Sequence, residues 1–384
     1  MKILYPLSEI SPSYGGIGSY TYKIIHSLIN NYKDYEAVIL TSNQQQDDTF
    51  LKYFNDTERV KVISLFEKNY PHIFARDLRF QLKLTKKLGK LIKEEEINIV
   101  HHQTGHYELF FSINSLRNLP IIMTSHGDIF SLLEKWKKVK LFNFDEKINY
   151  YVGRFLFQEE KILYNKSDKI IAVADHVRLN IINDYGIASD KVVTVCNFVD
   201  PEKFYFHPGE FHKPFKIGFI GRPYYIKGFY DLINILNSNY DHDEFEWYLV
   251  TNSDVVKKMV VNDKNIHCYG NIPLSKLSEF YDSIDCMFIP SYSEAGPTVV
   301  IESLLKGKLC IARDLIGIRE IMKDCTGYFF NDISDLNFDE IRKNLTMDHQ
   351  NLFRILKDNR EKVKQKYGSM DIIRDVHNLY KNCI

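Results

Sequence analysis

The chain has 384 residues, 45% hydrophobic and 26% charged, a size and balance suited to a globular protein of two domains. Its 50 basic and 50 acidic side chains cancel, which argues against bulk nucleic-acid binding. Six scattered cysteines (Cys196, Cys268, Cys286, Cys310, Cys325 and Cys383) form no C-x-x-C pair, so neither a disulfide framework nor a zinc site is expected, and no apolar run reaches membrane-spanning length.

Met1 leads almost directly into a strand-like run, so no signal peptide and a cytoplasmic location are expected. Short runs rich in Ile and Val at residues 2–5, 37–40, 60–63, 97–101, 121–124, 170–173 and 192–195 alternate with helical spacing at 20–28, 78–93 and 155–165. This alternation predicts a parallel sheet covered by helices on both faces. Such sheets bind ligands beyond the carboxyl ends of their strands, so functional residues are expected at strand-to-helix junctions.

The first junction carries Tyr14-Gly15-Gly16-Ile17-Gly18 just before the helix. Glycines there let a backbone approach a ligand whose charge the helix amides face. Pro6 to Ser13 separate this loop from the first strand, whereas a dinucleotide fingerprint follows its strand at once, so a nicotinamide oxidoreductase is not expected. From Leu78 to Lys93, the cations Arg79, Lys83, Lys86, Lys87, Lys90 and Lys93 lie opposite Leu84, Leu88 and Leu91 on a helical wheel. The pattern reads either as a solvated face or as a patch for an anionic membrane surface, with Trp136 among Lys135, Lys137, Lys138 and Lys140 as a supplement. Further on, the run at 97–101 ends in His102-Gln103-Thr104-Gly105-His106, and the run at 121–124 ends in Ser125-His126-Gly127-Asp128. His126 is either an ordinary loop histidine or points into a cleft between two domains. The spacing of His101, His102, His106 and His126 matches no common metal motif.

Residues 197–214, with Pro201, Pro208 and Gly209, read as a linker, which places a domain boundary near residue 200. A second series of strand-like runs follows at 215–221, 247–250, 266–269, 286–290 and 309–312, so two Rossmann-like domains are expected. The first of these runs ends in Gly221-Arg-Pro-Tyr-Tyr-Ile-Lys-Gly, where Arg222 and Lys227 form either a solvated loop or an Arg fork and Lys charge suited to a diphosphate. In Ser293-Glu-Ala-Gly-Pro-Thr-Val-Val-Ile-Glu, Pro297 suits the first helical position and Gly296 the cap. The amides of Thr298, Val299 and Val300 then form an anion-seeking tip. Glu294 falls in the loop before the helix. Glu302, among Val299, Val300, Ile301, Leu304 and Leu305, is a costly buried carboxylate that either pairs with a core cation or accepts both hydroxyls of a ribose. A sugar nucleotide would use the loop carboxylate, the helix tip and the buried carboxylate together.

The ordered set of junctions resembles the GT-B-fold glycosyltransferases of the family 4 type across nearly the whole chain. It comprises the glycine loop, Ser125-His-Gly, Asn197-Phe-Val-Asp-Pro-Glu-Lys-Phe, Gly221-Arg and Lys227-Gly, and Tyr269-Gly-Asn-Ile. It continues through Pro290-Ser, the two glutamates with seven residues between them, Gly307-Lys and Gly317-Ile-Arg-Glu320. The resemblance implies an α/β GT-B fold of two facing Rossmann-like domains, with an acceptor-binding domain at 1–198 and a nucleotide-sugar domain at 199–369. A last helix near 370–382 would cross back to the first domain. The resemblance further implies that Glu302 binds the ribose diol and that Arg222 and Lys227 hold the diphosphate with the amides of Thr298 and Val299. Glu294 and His126 would contact the transferred sugar, Asn271 and Ile272 would lie near the base, and Gly16 would approach the diphosphate. It implies a retaining transfer, with no metal or other cofactor, from a nucleoside-diphosphate sugar (UDP by family habit) to a glycan or lipid-linked acceptor. A sugar-nucleotide epimerase and a non-catalytic binding protein are the competing readings. Ala295, Phe198 and Arg319 stand where many relatives carry Gly, Gly and Pro.

Overall fold

The computed structural model describes residues 1–7, 16–42, 54, 58–66, 73–103, 112–116, 118–136, 144–238, 243–260 and 264–384. These residues form two compact units: Met1–Leu133, Tyr151–Phe198 and Met370–Ile384 in one, Glu134–Tyr150 and Val199–Ser369 in the other.

The first unit is built on seven strands: β1 (Lys2–Pro6), β2 (Glu36–Thr41), β3 (Val60–Ser64), β4 (Ile99–Gln103), β5 (Ile121–Ser125), β6 (Lys169–Ala172) and β7 (Val192–Thr194). They lie in the order β3-β2-β1-β4-β5-β6-β7 with every pairing parallel. β4 and β5 are buried along their whole lengths, because helices cover both faces of a parallel sheet. The helices of this unit are α1 (Gly16–Asn31), α2 (Ile73–Glu94) and α5 (Asp175–Tyr185), together with the first residues of α3 (Ile129–Trp136) and the greater part of α4 (Phe144–Lys166). Two boundaries differ from the periodicity. β4 starts and ends two residues later than expected, so His102 and Gln103 belong to the strand. α1 begins at Gly16, so the last three residues of the glycine loop form its first turn, while Tyr14 and Gly15 lie outside the described residues.

The second unit has six parallel strands: β8 (Phe215–Ile220), β9 (Phe245–Val250), β10 (Ile266–Cys268), β11 (Cys286–Ile289), β12 (Leu309–Arg313) and β13 (Tyr328–Phe330). Their order is β10-β9-β8-β11-β12-β13. Phe219, Phe229, Trp247, Phe288 and Leu356 belong to one buried cluster of this unit. Its helices are α6 (Phe229–Leu236), α7 (Ser253–Met259), α8 (Leu274–Asp282), α9 (Thr298–Lys306), α10 (Ile316–Ile321), α11 (Phe338–Leu345) and α12 (His349–Tyr367). All six cysteines are free thiols, and among the described residues no helix is long and apolar enough to cross a membrane.

The last helix, α13 (Asp371–Lys381), belongs to the first unit. Its Tyr380 hydroxyl lies 2.8 Å from that of Tyr5 and 2.6 Å from His101 Nδ1, while His101 Nε2 is 2.7 Å from Thr124 Oγ1. Burial, then the charges of His102 and His126, push the His101 pKa from 6.5 to about 3. The folded protein therefore keeps His101 neutral, whereas an unfolded chain protonates it near pH 6.5. Its contribution to stability is full above that pH and is lost as pH falls towards about 3, at roughly 1.4 kcal/mol per pH unit. Acidification from pH 7.5 to 5 should thus cost about 2 kcal/mol through this residue. In urea unfolding at both pH values, His101→Gln should show a smaller acid loss than the native chain; equal losses would refute the assignment.

Candidate active site

In the second unit, the carboxyl ends of β8, β11 and β12 share one edge of the sheet, and two loops meet there. After β8 the chain runs through exposed Arg222 into a short helical turn, Tyr225–Lys227, and then through Gly228 into α6. Gly228 has φ +68°, and a Cβ on it would come 2.3 Å from the carbonyl oxygen of Pro290, so only glycine lets this loop lie against the end of β11. The contact is reinforced where Tyr292 N donates to Ile226 O at 2.8 Å and where the Tyr225 and Tyr292 rings stack at 4.7 Å.

Arg313, at the end of β12, anchors this arrangement from beneath. Its guanidinium carbon lies 4.0 Å from the centre of the Tyr292 ring, and the group donates to Asp231 Oδ2 at 2.7 Å, Pro290 O at 3.1 Å and Asn331 O at 2.7 Å. Burial raises the Asp231 carboxyl above the ordinary range, while the Tyr292 hydroxyl and Arg313 oppose that shift. Gly317, in α10, serves the other loop. A Cβ there would stand 2.3 Å from Glu294 O and 2.7 Å from Ala295 O, so the glycine sets how closely α10 approaches the loop that carries Glu294.

The consequence is that Lys227 and Glu294, 67 residues apart, form an ion pair of 2.7 Å. Their side chains are 38% and 11% exposed, and pairs of this kind contribute about 0–1 kcal/mol. The pair is therefore a placement of two charged groups rather than a support for the fold.

Pro297 is the N-cap of α9 rather than its first residue, because its extended ψ of 112° keeps it outside the helix. No side chain caps this end. Val300 N donates to Pro297 O at 3.1 Å, so of the three expected amides Val300 is already engaged, and Thr298 and Val299 form the tip. One turn further, Glu302 is 3% exposed, and its Oε2 accepts the hydroxyl of Tyr281 at 2.9 Å. Tyr281 is fully buried at the end of α8, where burial and then the Glu302 charge raise its pKa, so it remains a donor. Asn271 is exposed and Ile272 half-buried in the loop beyond β10, at the same edge of the sheet. Arg319, the departure from proline, donates twice to Asp314 at 2.7 Å and lies 3.6 Å from the Phe329 ring centre.

In the first unit, His126 follows β5, with its Nε2 2.8 Å from Gln103 Oε1 and its ring edge-on to Tyr20 at 4.7 Å. Asp128 is engaged in structure: its Oδ1 accepts Ser131 N at 2.7 Å at the start of α3, and its Oδ2 accepts Asn180 Nδ2 at 3.0 Å. Behind it, burial raises the Glu160 carboxyl to about 7, and Glu160 accepts Ile129 N and the Tyr185 hydroxyl. Gly16 is exposed, and a Cβ on it would meet nothing within 4 Å, so packing within the chain does not demand glycine there. Thr104, Gly105 and His106 lie outside the described residues, and among those described no cluster of three metal-ligating side chains occurs.

On α2, Arg79, Lys83, Lys86, Lys87, Lys90 and Lys93 are exposed, and Lys83 also donates to Leu65 O at 2.9 Å and lies 4.3 Å from the Phe66 ring centre. Lys137, Lys138 and Lys140 lie outside the described residues. A cavity of about 380 Å³ lined by Pro208, Phe211, His349 and Phe353 shares no residue with the loops around Lys227 and Glu294.

Two family models match the chain: Glycosyltransferase Family 4 over residues 14–203 and Glycosyl transferases group 1 over residues 214–345. An uncharacterised glycosyltransferase of Methanocaldococcus jannaschii is 23% identical, over 99% of this chain and 98% of its own. Among solved structures, sucrose-phosphate synthase of Thermosynechococcus elongatus superposes with a TM-score of 0.78 at 16% identity, covering 99% of this chain and 98% of that one. HepE of Anabaena in complex with UDP and glucose gives 0.74 at 15% identity, with both chains fully covered. At these identities the likeness to the solved structures is one of fold.

Proposed function

The chain belongs to the family 4, group 1 glycosyltransferases of GT-B fold, and on that premise we propose a retaining transfer of a hexose from its UDP conjugate to a hydroxyl of a glycan or lipid-linked acceptor. The observation that carries this reading is the Lys227–Glu294 pair, whose carboxylate lies in the loop that leads into the uncapped start of α9, one helical turn from Glu302, on the sheet edge where β8 gives way to Arg222. HepE was solved with UDP and glucose, which supports uridine as the base and a hexose as the sugar.

In this reading, Arg222, Lys227 and the amides of Thr298 and Val299 hold the pyrophosphate and stabilise the charge that develops on the departing β-phosphate. Two cations and two amides suffice for that charge, so the reaction needs no metal. Glu302, its carboxylate oriented by Tyr281, accepts the ribose hydroxyls, and Asn271 and Ile272 border the base. As the pyrophosphate draws Lys227, Glu294 is released to accept a hydroxyl of the transferred sugar. The acceptor attacks on the face of the leaving group, and a phosphate oxygen takes its proton, so no side-chain nucleophile is required. Asp128, whose oxygens accept Ser131 N and Asn180 Nδ2, serves to hold the start of α3, and NMR of the product linkage would show inversion if it acted as a base instead.

Thermal-shift titration with UDP, GDP, ADP and UDP-glucose tests the core of this reading. UDP at about 100 times its dissociation constant should raise the melting temperature by roughly 5 °C or more. The absence of a shift with all four would overturn it. Incubating UDP-glucose alone separates the epimerase reading, which predicts conversion of the donor without an acceptor.

A further inference from the structure

We propose that Asp282 is a positioning residue: by holding Lys306 against α8, it keeps that cation off Glu302 and leaves the carboxylate to the ribose. This deepens, and rests on, the reading of Glu302 as a ribose ligand. Lys306 stands four residues after Glu302 on α9. Glutamate followed at that spacing by lysine is the favoured orientation for an ion pair along a helix. The local sequence therefore offers Glu302 a cation from the last turn of its own helix.

The tertiary structure takes that cation elsewhere. Lys306 is fully buried, and its Nζ lies 2.5 Å from Asp282 Oδ1 at the end of α8. It also donates to Ser278 Oγ, one turn earlier on α8, at 3.1 Å, and lies 3.7 Å from the centre of the Tyr205 ring. The Tyr205 hydroxyl in turn donates to Asp282 Oδ2 at 2.9 Å. His207 completes the surroundings: its Nδ1 lies 3.5 Å from Asp282 Oδ1, and its amide donates to Lys306 O at 2.9 Å. Burial lowers the Lys306 pKa, and Asp282 opposes that shift. All of these groups belong to the second unit.

Tyr281 and Asp282 are adjacent, so the end of α8 presents two different groups to α9. Tyr281 gives Glu302 a neutral donor, which orients its carboxylate without cancelling the charge. Asp282 takes Lys306, whose charge would cancel it. A carboxylate paired with an ammonium commits lone pairs to the stronger donor and attracts hydroxyl donors less. Without the Asp282 charge, Lys306 turns to the carboxylate one helical turn back and competes there with the ribose.

Isothermal titration of the full chain with UDP, uridine and inorganic pyrophosphate tests this. Asp282→Asn removes the charge but keeps an acceptor for Tyr205, and Asp282→Ala is the second variant should the first fold poorly. Either should weaken UDP and uridine about tenfold or more, the scale of losing hydrogen bonds to a charged acceptor, with pyrophosphate within about twofold. A variant that merely displaced α9 would weaken pyrophosphate as well, since in the proposed site the tip of that helix holds it. Lys306→Met should bind UDP within about twofold of the native chain, and Asp282→Asn combined with Lys306→Met should regain that affinity. Native UDP affinity in the Asp282 variants, an equal loss in Lys306→Met, or no recovery in the double variant overturns the role of Asp282. Glu302→Gln, titrated alongside, separates the two failures. If it weakens UDP while the Asp282 variants do not, only the role of Asp282 falls; native affinity in Glu302→Gln removes the ribose reading itself.

Discussion

Arg222→Ala is expected to lower kcat by about 10²–10³-fold, the scale of removing one preorganised donor from developing negative charge. The side chain is exposed at the carboxyl end of β8, so its loss removes little packing, and the melting temperature should stay within about 2 °C. Lys227→Ala should act in the same direction with a second effect, because it strips the partner from Glu294, whose side chain is only 11% exposed. On the proposal that both cations act on one diphosphate, the double variant should lose less than the product of the two single losses. Single-turnover rates with UDP-glucose would separate chemistry from release. Native rates in Arg222→Ala, with the protein folded, would refute the phosphate site at this junction.

Glu302→Gln should weaken UDP binding by roughly 10- to 100-fold, because hydrogen bonds to a charged acceptor are worth about 1.5–3 kcal/mol each. The glutamine oxygen can still accept the Tyr281 hydroxyl, so the fold should persist. Tyr281→Phe provides a graded control: it leaves the carboxylate charged but less well oriented, and its effect on UDP binding should be smaller than that of Glu302→Gln. Isothermal titration with UDP and with uridine measures both variants. If Glu302→Gln binds UDP as the native chain does, Glu302 is a core acid satisfied by Tyr281 and not a ribose ligand.

Much of the fold was legible from local pattern. Runs of Ile and Val buried on both faces, alternating with helical spacing, predict parallel sheets, and both sheets are parallel throughout. The three-residue strand β13 was missed, because Tyr-Phe-Phe between a loop and a 3-10 turn has no distinguishing period. At the junctions, Arg222, Lys227, Glu294 and Glu302 stood out because cations and carboxylates at strand ends and helix starts need partners. Arg313 and Tyr281 gave no such signal. One lies in an apolar strand and the other within a helix, and their roles appear only once β12 and α8 are placed beside the loops they support. Gly317 was visible only as part of a motif, and its role rests on the carbonyls of Glu294 and Ala295 that press against it. On α2, the helical wheel sets Lys83 with the other cations, and it is exposed as they are; its contacts with Leu65 and Phe66 appear only in the structure.

By itself, the amino-acid order determined the class of architecture and the family, because hydrophobic period, strand ends and the succession of short motifs are all local properties. Only the tertiary structure decided which groups meet: Lys227 with Glu294, Tyr281 with Glu302, Gln103 with His126. The reason is physical. In the order β9-β8-β11-β12, β8 lies beside β11 although two strands separate them in sequence, so parallel pairing brings together residues that no window along the chain contains. Side-chain partners are then selected by packing at that shared edge rather than by spacing.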